Sequence, residues 1–352
     1  MTARCILYSA PPLERFLDDA RPRVTWKRTL LRWLLPTLLL AAIIALLGRQ
    51  IYLRKFWASL SHAHWSLVLL ASCLAATLCM GGLVLRLLRL LQQLPHDEPV
   101  GLWELASIYF ASSAAHNVLP APAGEVLRTV QLKRRHGYTV GVLVAAQLIE
   151  KVIEALGLAI GALVMASLGQ LPHALDRWLF GVAALGVGGA IAALVVGWRY
   201  RPTTAPLPDA TGLPFRAALR VNAGNFFRRL GEGLHQLRAP LVWLRALAWS
   251  MLSDAANAVT VGLCLMAVGV TLPFAAWFLT MLAARGAGLV PSTPGQFGVQ
   301  EAGVVGALSL VGVDQDRALA IALLHHMAHF IPVTLIGLIE LRRWWAPTKE
   351  ST

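Results

Sequence analysis

Between two long apolar runs the chain carries PSTPGQFGVQE, Pro291 to Glu301, and no continuous lipid-facing helix can run through it. The prolines withdraw backbone donors and the glycines loosen what remains. Broken backbone at membrane depth is tolerated only where protein or a water-lined cavity surrounds it. A second stretch, NVLPAPAGE from Asn117 to Glu125, has the same character. Two such breaks in one apolar chain point to a cavity rather than to a plain bundle of spans.

Composition places the chain in the membrane. Of its 352 residues, 57% are hydrophobic and 14% charged, with a mean hydropathy of +0.62. Its apolar runs are longer than ordinary globular cores require. The formal charge of +13 reads as cytoplasmic loops facing anionic lipid. No basic-aromatic module accompanies it, so nucleic acid is not an expected partner. Cys5, Cys73, Cys79 and Cys264 are scattered and suggest neither a disulfide framework nor a zinc site. Residues 1–29 are polar and basic and lead into an apolar run with no small-residue cleavage site, which reads as a cytoplasmic tail before a retained span.

Charge parity then orders the chain. A first span is expected from about Leu30 to Leu47 and a second from Trp65 to Leu85, stopped by Arg86 and Arg89. The run Trp103 to Ala115 is too short to cross alone, and the basic residues Lys133, Arg134 and Arg135 return the chain to the side it left. That predicts a re-entrant hairpin with NVLPAPAGE near its turn. A long span from Thr139 to Leu168 follows, then a Gly- and Ala-rich span from Trp178 to Trp198. The loop from Arg199 to Arg238 carries the strongest positive-inside signal and an amphipathic helix, 214–238, expected to lie on the inner leaflet. A span from Leu241 to Val268, a second hairpin around PSTPGQFGVQE and a last span from Ala318 to Leu341 complete the chain.

The expected fold is thus all-α and polytopic: a tail (1–29), a membrane domain (30–341) and a short cytoplasmic tail (342–352). Within it, residues of about 65–168 and 241–341 form two repeats of opposite orientation, each with a re-entrant hairpin. Inverted repeats with broken helices near the midplane are the physical pattern of a translocator.

Three ordered motifs carry a family resemblance: NVLPAPAGEVLRTVQLKRRHG at 117–137, LIEKVIEALG at 148–157 and PSTPGQFGVQEAG at 291–303. With these the chain resembles, from about residue 33 to 341, the flippase-like transmembrane domain family named after lysylphosphatidylglycerol synthase. The resemblance implies a polytopic bacterial inner-membrane protein that handles lipids. In bifunctional members a separate soluble domain aminoacylates phosphatidylglycerol; none is expected here, since only eleven residues follow position 341. The chain departs from the family where Lys151 and Glu154 replace an Arg and an Asp, and where His325, His326 and His329 stand in place of an expected Arg.

The candidate substrate-binding or translocation residues follow from charge or polarity in apolar surroundings. Asn117, Glu125 and Arg128 flank the first break, where local capping and headgroup contact are both open readings. Glu150, Lys151 and Glu154 sit within the long span, as an interhelical ion network or as a cavity lining or proton-coupling site. Asp254 and Asn257 lie on the facing span, and Arg285 is the expected partner of the acids. Ser292, Thr293, Gln296, Gln300 and Glu301 surround the second break, Glu301 being also well placed to favour a helix N-terminus. His325, His326 and His329 suit interhelical hydrogen bonding or a proton- or headgroup-linked role better than a metal, because HExxH and paired Cys are missing.

No cofactor or catalytic triad is indicated. The expected function is a lipid translocator for a polar or anionic lipid, with both termini cytoplasmic. A membrane-embedded transferase and a scaffold for a lipid-modifying enzyme are the alternatives. Membrane lipids, a lipid-biosynthetic enzyme and a second copy of the chain are the partners these readings imply.

Overall fold

A computed structural model describes residues 53–119, 123–167, 176–202, 207–208, 214–287 and 294–345. The N-terminal tail, the first expected span, residues 346–352 of the C-terminal tail, and Ser292 and Thr293 lie outside the described residues. Within them the protein is helical, without strands.

The elements are α1 (Leu53–Ser61), α2 (Trp65–Leu91), α3 (Leu102–Val118), α4 (Ala123–His136), α5 (Val140–Ser167), α6 (Asp176–Arg199) and α7 (Phe215–Gln236). They continue with α8 (Pro240–Ala267), α9 (Phe274–Ala287), a 3₁₀ turn at Pro294–Gln296, α10 (Val299–Leu310) and α11 (Gln315–Trp345). Three of these, α2, α8 and α11, are long and apolar enough to cross a membrane. Helix α5 is as long as α8, but Glu150, Lys151 and Glu154 interrupt its apolar run.

Helix α2 does not stop at Arg86. It runs on to Leu91, and Arg86 is buried, only 1% exposed. A terminal arginine is expected to reach for headgroups, but here carboxylates from α5 neutralise it within the bundle, so the helix can continue. Midway, α2 opens into one π turn at Ala75–Cys79. The Cys79 carbonyl beside that turn accepts a hydrogen bond from Ser253 Oγ of α8 at 2.8 Å, so a backbone group at the irregularity has a partner.

Helices α3 and α4 fold back on one another. Gly124, at the start of α4, packs against the Ser112 carbonyl and His116 near the end of α3. Arg135, near the end of α4, reaches Glu104 at the start of α3. Helices α9 and α10 make the second such pair, with Gly303 against Ala283 and Ala287. In lipid, apolar burial gives little drive for helix association, so small residues that let backbones approach carry the packing. Gly82 of α2 meets Trp249 and Ser253 of α8; Gly161 of α5 meets the Phe278 ring of α9; Gly337 of α11 meets the Phe110 carbonyl of α3. Gly337→Ala is expected to cost about 1–3 kcal/mol by overpacking, read as a lowered thermal midpoint in detergent. An unchanged midpoint would show that this helix crossing is loose.

Two apolar cores result. One gathers the first half of α2, the ends of α5 and α8, α9, α10 and the first half of α11. The other gathers the second half of α2, α3, the first half of α5 and the start of α8. Helix α7 adds Leu234, and Leu237 just beyond its end, to this second core, and its Gly233 lies against Val142 and Ala145 of α5. On α2 and α5, Arg86 and Glu150 stand among residues of the second core, beside Leu87 and Ile149.

Candidate functional site

The two breaks in the chain meet. Gly295 and Gln296 both adopt left-handed backbone, at φ 68° and 62°, and Gly298 follows at φ 86°. Such a turn needs glycine or tolerates a polar residue at most. A side chain on Gly295 would press on the rings of Phe330 and Phe297 and on the Asn117 carbonyl. The second break therefore sits against the end of α3, where the first break begins. Asn117 is fixed there by donating from Nδ2 to Thr334 Oγ1 of α11 at 2.8 Å.

Around this junction lies one cavity of about 580 Å³. Its wall takes Arg86 from α2, Asn117 from α3, Glu125 and Arg128 from α4, Glu150, Lys151 and Glu154 from α5, and Arg285 from α9. The second hairpin adds Gln296 and Gln300, and α11 adds His326 and His329, while Met80, Leu83, Phe330 and Val333 supply an apolar part. It has the mixed lining of a ligand site rather than of a core void.

The cations of the wall are held by acids. Arg86 Nη2 lies 3.0 Å from Glu150 Oε1 and 2.8 Å from Glu154 Oε1, and Nη1 donates to Ser250 Oγ of α8 at 3.2 Å. Arg128 Nη2 is 3.0 Å from Glu150 Oε2, and its guanidinium lies over the Tyr109 ring of α3, 5.1 Å from the centroid. Lys151 pairs with Glu154 at 3.2 Å, and Arg285 with Asp254 at 3.2 Å. Glu150 and Glu154 share a helix face, and these cations remove the repulsion between them. Removing one member would leave a buried charge without compensation.

Glu125 stands apart. Its side chain is 37% exposed and its closest polar contact of opposite type is His116 Nδ1 at 3.9 Å; among the described residues neither that nitrogen nor Glu125 Oε2 has a hydrogen-bond partner.

The second hairpin is held by a different chemistry. Glu301 Oε2 accepts from the Gly298 backbone N–H at 2.6 Å, which caps α10. Its other oxygen, Oε1, lies 2.5 Å from His326 Nδ1. Phe297 stacks on the His326 ring at a centroid distance of 4.6 Å. Behind it, His325 Nε2 meets Asn257 Oδ1 of α8 at 3.0 Å, and His329 Nδ1 contacts the His325 carbonyl at 3.2 Å.

Most of the residues singled out from sequence thus come to one place. Asn117, Glu125, Arg128, Glu150, Lys151, Glu154, Arg285, Gln296, Gln300, His326 and His329 line the cavity. Asp254, Asn257, Glu301 and His325 are not on its wall: Asp254 holds Arg285, Glu301 holds His326, the His325 carbonyl meets His329, and Asn257 reaches the wall only through His325. Of the acids expected to pair with Arg285, Asp254 does so, whereas Glu150 and Glu154 pair with Arg86, Arg128 and Lys151 instead. Arg86 and Tyr109 were missed, since an Arg ending an apolar run reads as a stop signal and an isolated Tyr carries no signal.

Fold and cavity define an all-helical membrane protein with two folded-back helix pairs beside a charged interior. The chain belongs to the family described as the lysylphosphatidylglycerol synthase TM region, whose model matches residues 33–337. No curated protein and no solved structure gives a significant match to the chain.

Proposed function

We propose that this protein is a lipid translocator of the bacterial inner membrane, with both termini cytoplasmic, in which a polar headgroup passes through the cavity while the acyl chains stay in the bilayer. The observation that carries this reading is the contact of Gly295 with Asn117, which brings both breaks onto one polar cavity. The family's description ties its membrane region to a lipid-modifying enzyme and so supports a lipid as the ligand.

Spacing supports an inverted repeat. Arg86 to Asp254 and Phe110 to Phe278 are equally spaced. Beyond the breaks, Glu125 to Glu301, Glu150 to His326 and Gly161 to Gly337 share a spacing eight residues longer, in keeping with the longer second break. On this register α4 matches α10, and α5 matches α11 nearly end to end. The contacts repeat as well: α5 packs on α9 through Gly161 and Phe278, as α11 packs on α3 through Gly337 and Phe110. Gly82 crosses α8 between Trp249 and Ser253, around its own equivalent Ser250, as a two-fold axis requires. With the positive-inside assignment the hairpins enter from opposite faces, α7 lies at the inner leaflet, and each half forms one wall of the path.

The wall also speaks to the headgroup. Arg86, Arg128, Lys151 and Arg285 each have a carboxylate partner, whereas Glu125, part-exposed on the wall, has no arginine or lysine in salt-bridge contact among the described residues. A headgroup that brings donors, such as an amine or a polyol, completes that side of the cavity; a choline headgroup brings none.

The test is leaflet exchange of labelled lipids in proteoliposomes. Exchange above that of protein-free vesicles is expected for amine- and polyol-bearing lipids, and more slowly for choline lipid. Chemical conversion of the lipid would replace translocation with a transferase. Neither exchange nor conversion would leave a scaffold.

A further inference from the structure

The two halves secure equivalent positions with different chemistry. In the first half, position 150 is a glutamate, held by Arg86 and Arg128. Both cations keep their charge at any physiological pH. In the second half the equivalent position is His326, and its partner is Glu301, the counterpart of Glu125. That contact is an ion pair only when the imidazole carries a second proton. Glu301 is also the residue that holds the Gly298 N–H of the second turn, and Phe297 of that turn stacks on the His326 ring. The charge state of one buried pair is therefore joined directly to the backbone of the second break.

We infer that Glu301 and His326 form a proton-binding site that sets how firmly the second hairpin's turn is held. This rests on the translocator reading and gives it a chemical input, a proton bound from solution. In the unprotonated state the pair holds one proton between carboxylate and imidazole, with net charge −1. One proton taken up at the free ring position gives an imidazolium against a carboxylate, net zero. That state matches the permanent ion pairs of the first half, so proton uptake tightens the hold on Gly298 and proton release loosens it. The pair is buried but His326 touches the cavity wall, so water or a headgroup in the cavity can exchange the proton.

The surroundings favour this pair as the responsive one. Helix α10 presents Glu301 itself, and α9 presents Arg285, which is paired with Asp254 of α8. From α8 the other polar neighbour is Asn257, bound to His325. Helix α3 places His116 on the cavity wall, and α2 places Arg86, bound to Glu150 and Glu154. On α11 itself stand His325 and His329, the latter against a backbone carbonyl. Glu301 thus joins the His326 ring to the Gly298 N–H of the turn through its two oxygens.

The experiment is hydrogen exchange of the full chain in nanodiscs between about pH 5 and 8, where an ordinary histidine titrates. Exchange of residues 295–301 is divided by its intrinsic rate at each pH. In the wild type, protection of the turn is expected to fall as pH rises, by at most about tenfold per unit, the limit for one proton. In His326→Gln the profile is expected to be flat, because an amide side chain takes up no proton. His329→Gln, outside the pair, keeps the wild-type profile. Should His326→Gln fail to fold, Glu301→Gln serves as the second variant and is also expected to be flat. A flat wild-type profile, or the same slope in the folded variants of the pair, overturns the proposal. Because the readout requires no lipid movement, it separates from the exchange assay: a chain that moves lipid with a pH-independent turn loses the proton site and keeps the translocator.

Discussion

Arg86→Ala is expected to cost about 3–5 kcal/mol and to leave little folded protein, because truncation strands Glu150 and Glu154 in the interior. Arg86 is 1% exposed and ties α2 to α5 through both carboxylates and to α8 through Ser250. It is thus a shared joint of α2, α5 and α8. Arg86→Lys keeps the charge but cannot span three partners with one ammonium group, so an intermediate loss is expected. Arg86→Met combined with Glu150→Gln and Glu154→Gln removes the charges the single substitution exposes, and recovery of much of the lost stability is expected. Thermal midpoints from size-exclusion profiles in detergent measure all three. An Arg86→Ala midpoint within about 2 °C of the parent would mean that water, rather than Arg86, satisfies these acids.

Glu125→Gln is expected to do the reverse: to leave stability unchanged and to reduce lipid exchange. Its side chain is part-exposed on the cavity and, among the described residues, Oε2 accepts no hydrogen bond, so the fold loses little when its charge is removed. A hydrogen bond to a charged group contributes about 1.5–3 kcal/mol in protected surroundings. With solvent screening at this exposure, the lower end applies, or a loss of roughly tenfold in rate. The loss should fall on amine-bearing lipid and spare choline lipid. Equal slowing of both would place Glu125 in the architecture of the hairpin rather than in headgroup contact.

How far this could be read from the sequence depends on the range of the interaction. Proline and glycine act on their own backbone, so both breaks were legible at Asn117–Glu125 and Pro291–Glu301. Charge within an apolar run is equally local, which is why Glu150, Lys151, Glu154, Asp254 and Arg285 stood out. Partners were harder, because pairing depends on how helices cross. Arg86 meets residues 64 and 68 positions away, and at the end of an apolar run it looks like an ordinary flank. Arg128 lies one turn from Glu125 but pairs with Glu150 on another helix. The Glu301–His326 pair needs α10 and α11 already side by side. The apolar face assigned to the 214–238 helix contributes Leu234 and Leu237 to the bundle core, since amphipathic periodicity identifies a face without naming what covers it.

The ion network also bears on how the chain enters the bilayer. Each charge near the middle of a lone segment costs about 2.5–3.5 kcal/mol on insertion scales, and α5 carries Glu150, Lys151 and Glu154. Released singly by the insertion machinery, α5 is a poor passenger; with Arg86 of α2 and Arg128 of α4 beside it, two of its liabilities become contacts. Helix α5 is therefore expected to be a span by assembly, dependent on segments synthesised before it. In a glycosylation-reporter assay it should insert poorly alone and well when α2 through α4 precede it, and Arg86→Ala should erase much of that gain. Equal insertion alone and in context would make α5 an autonomous span.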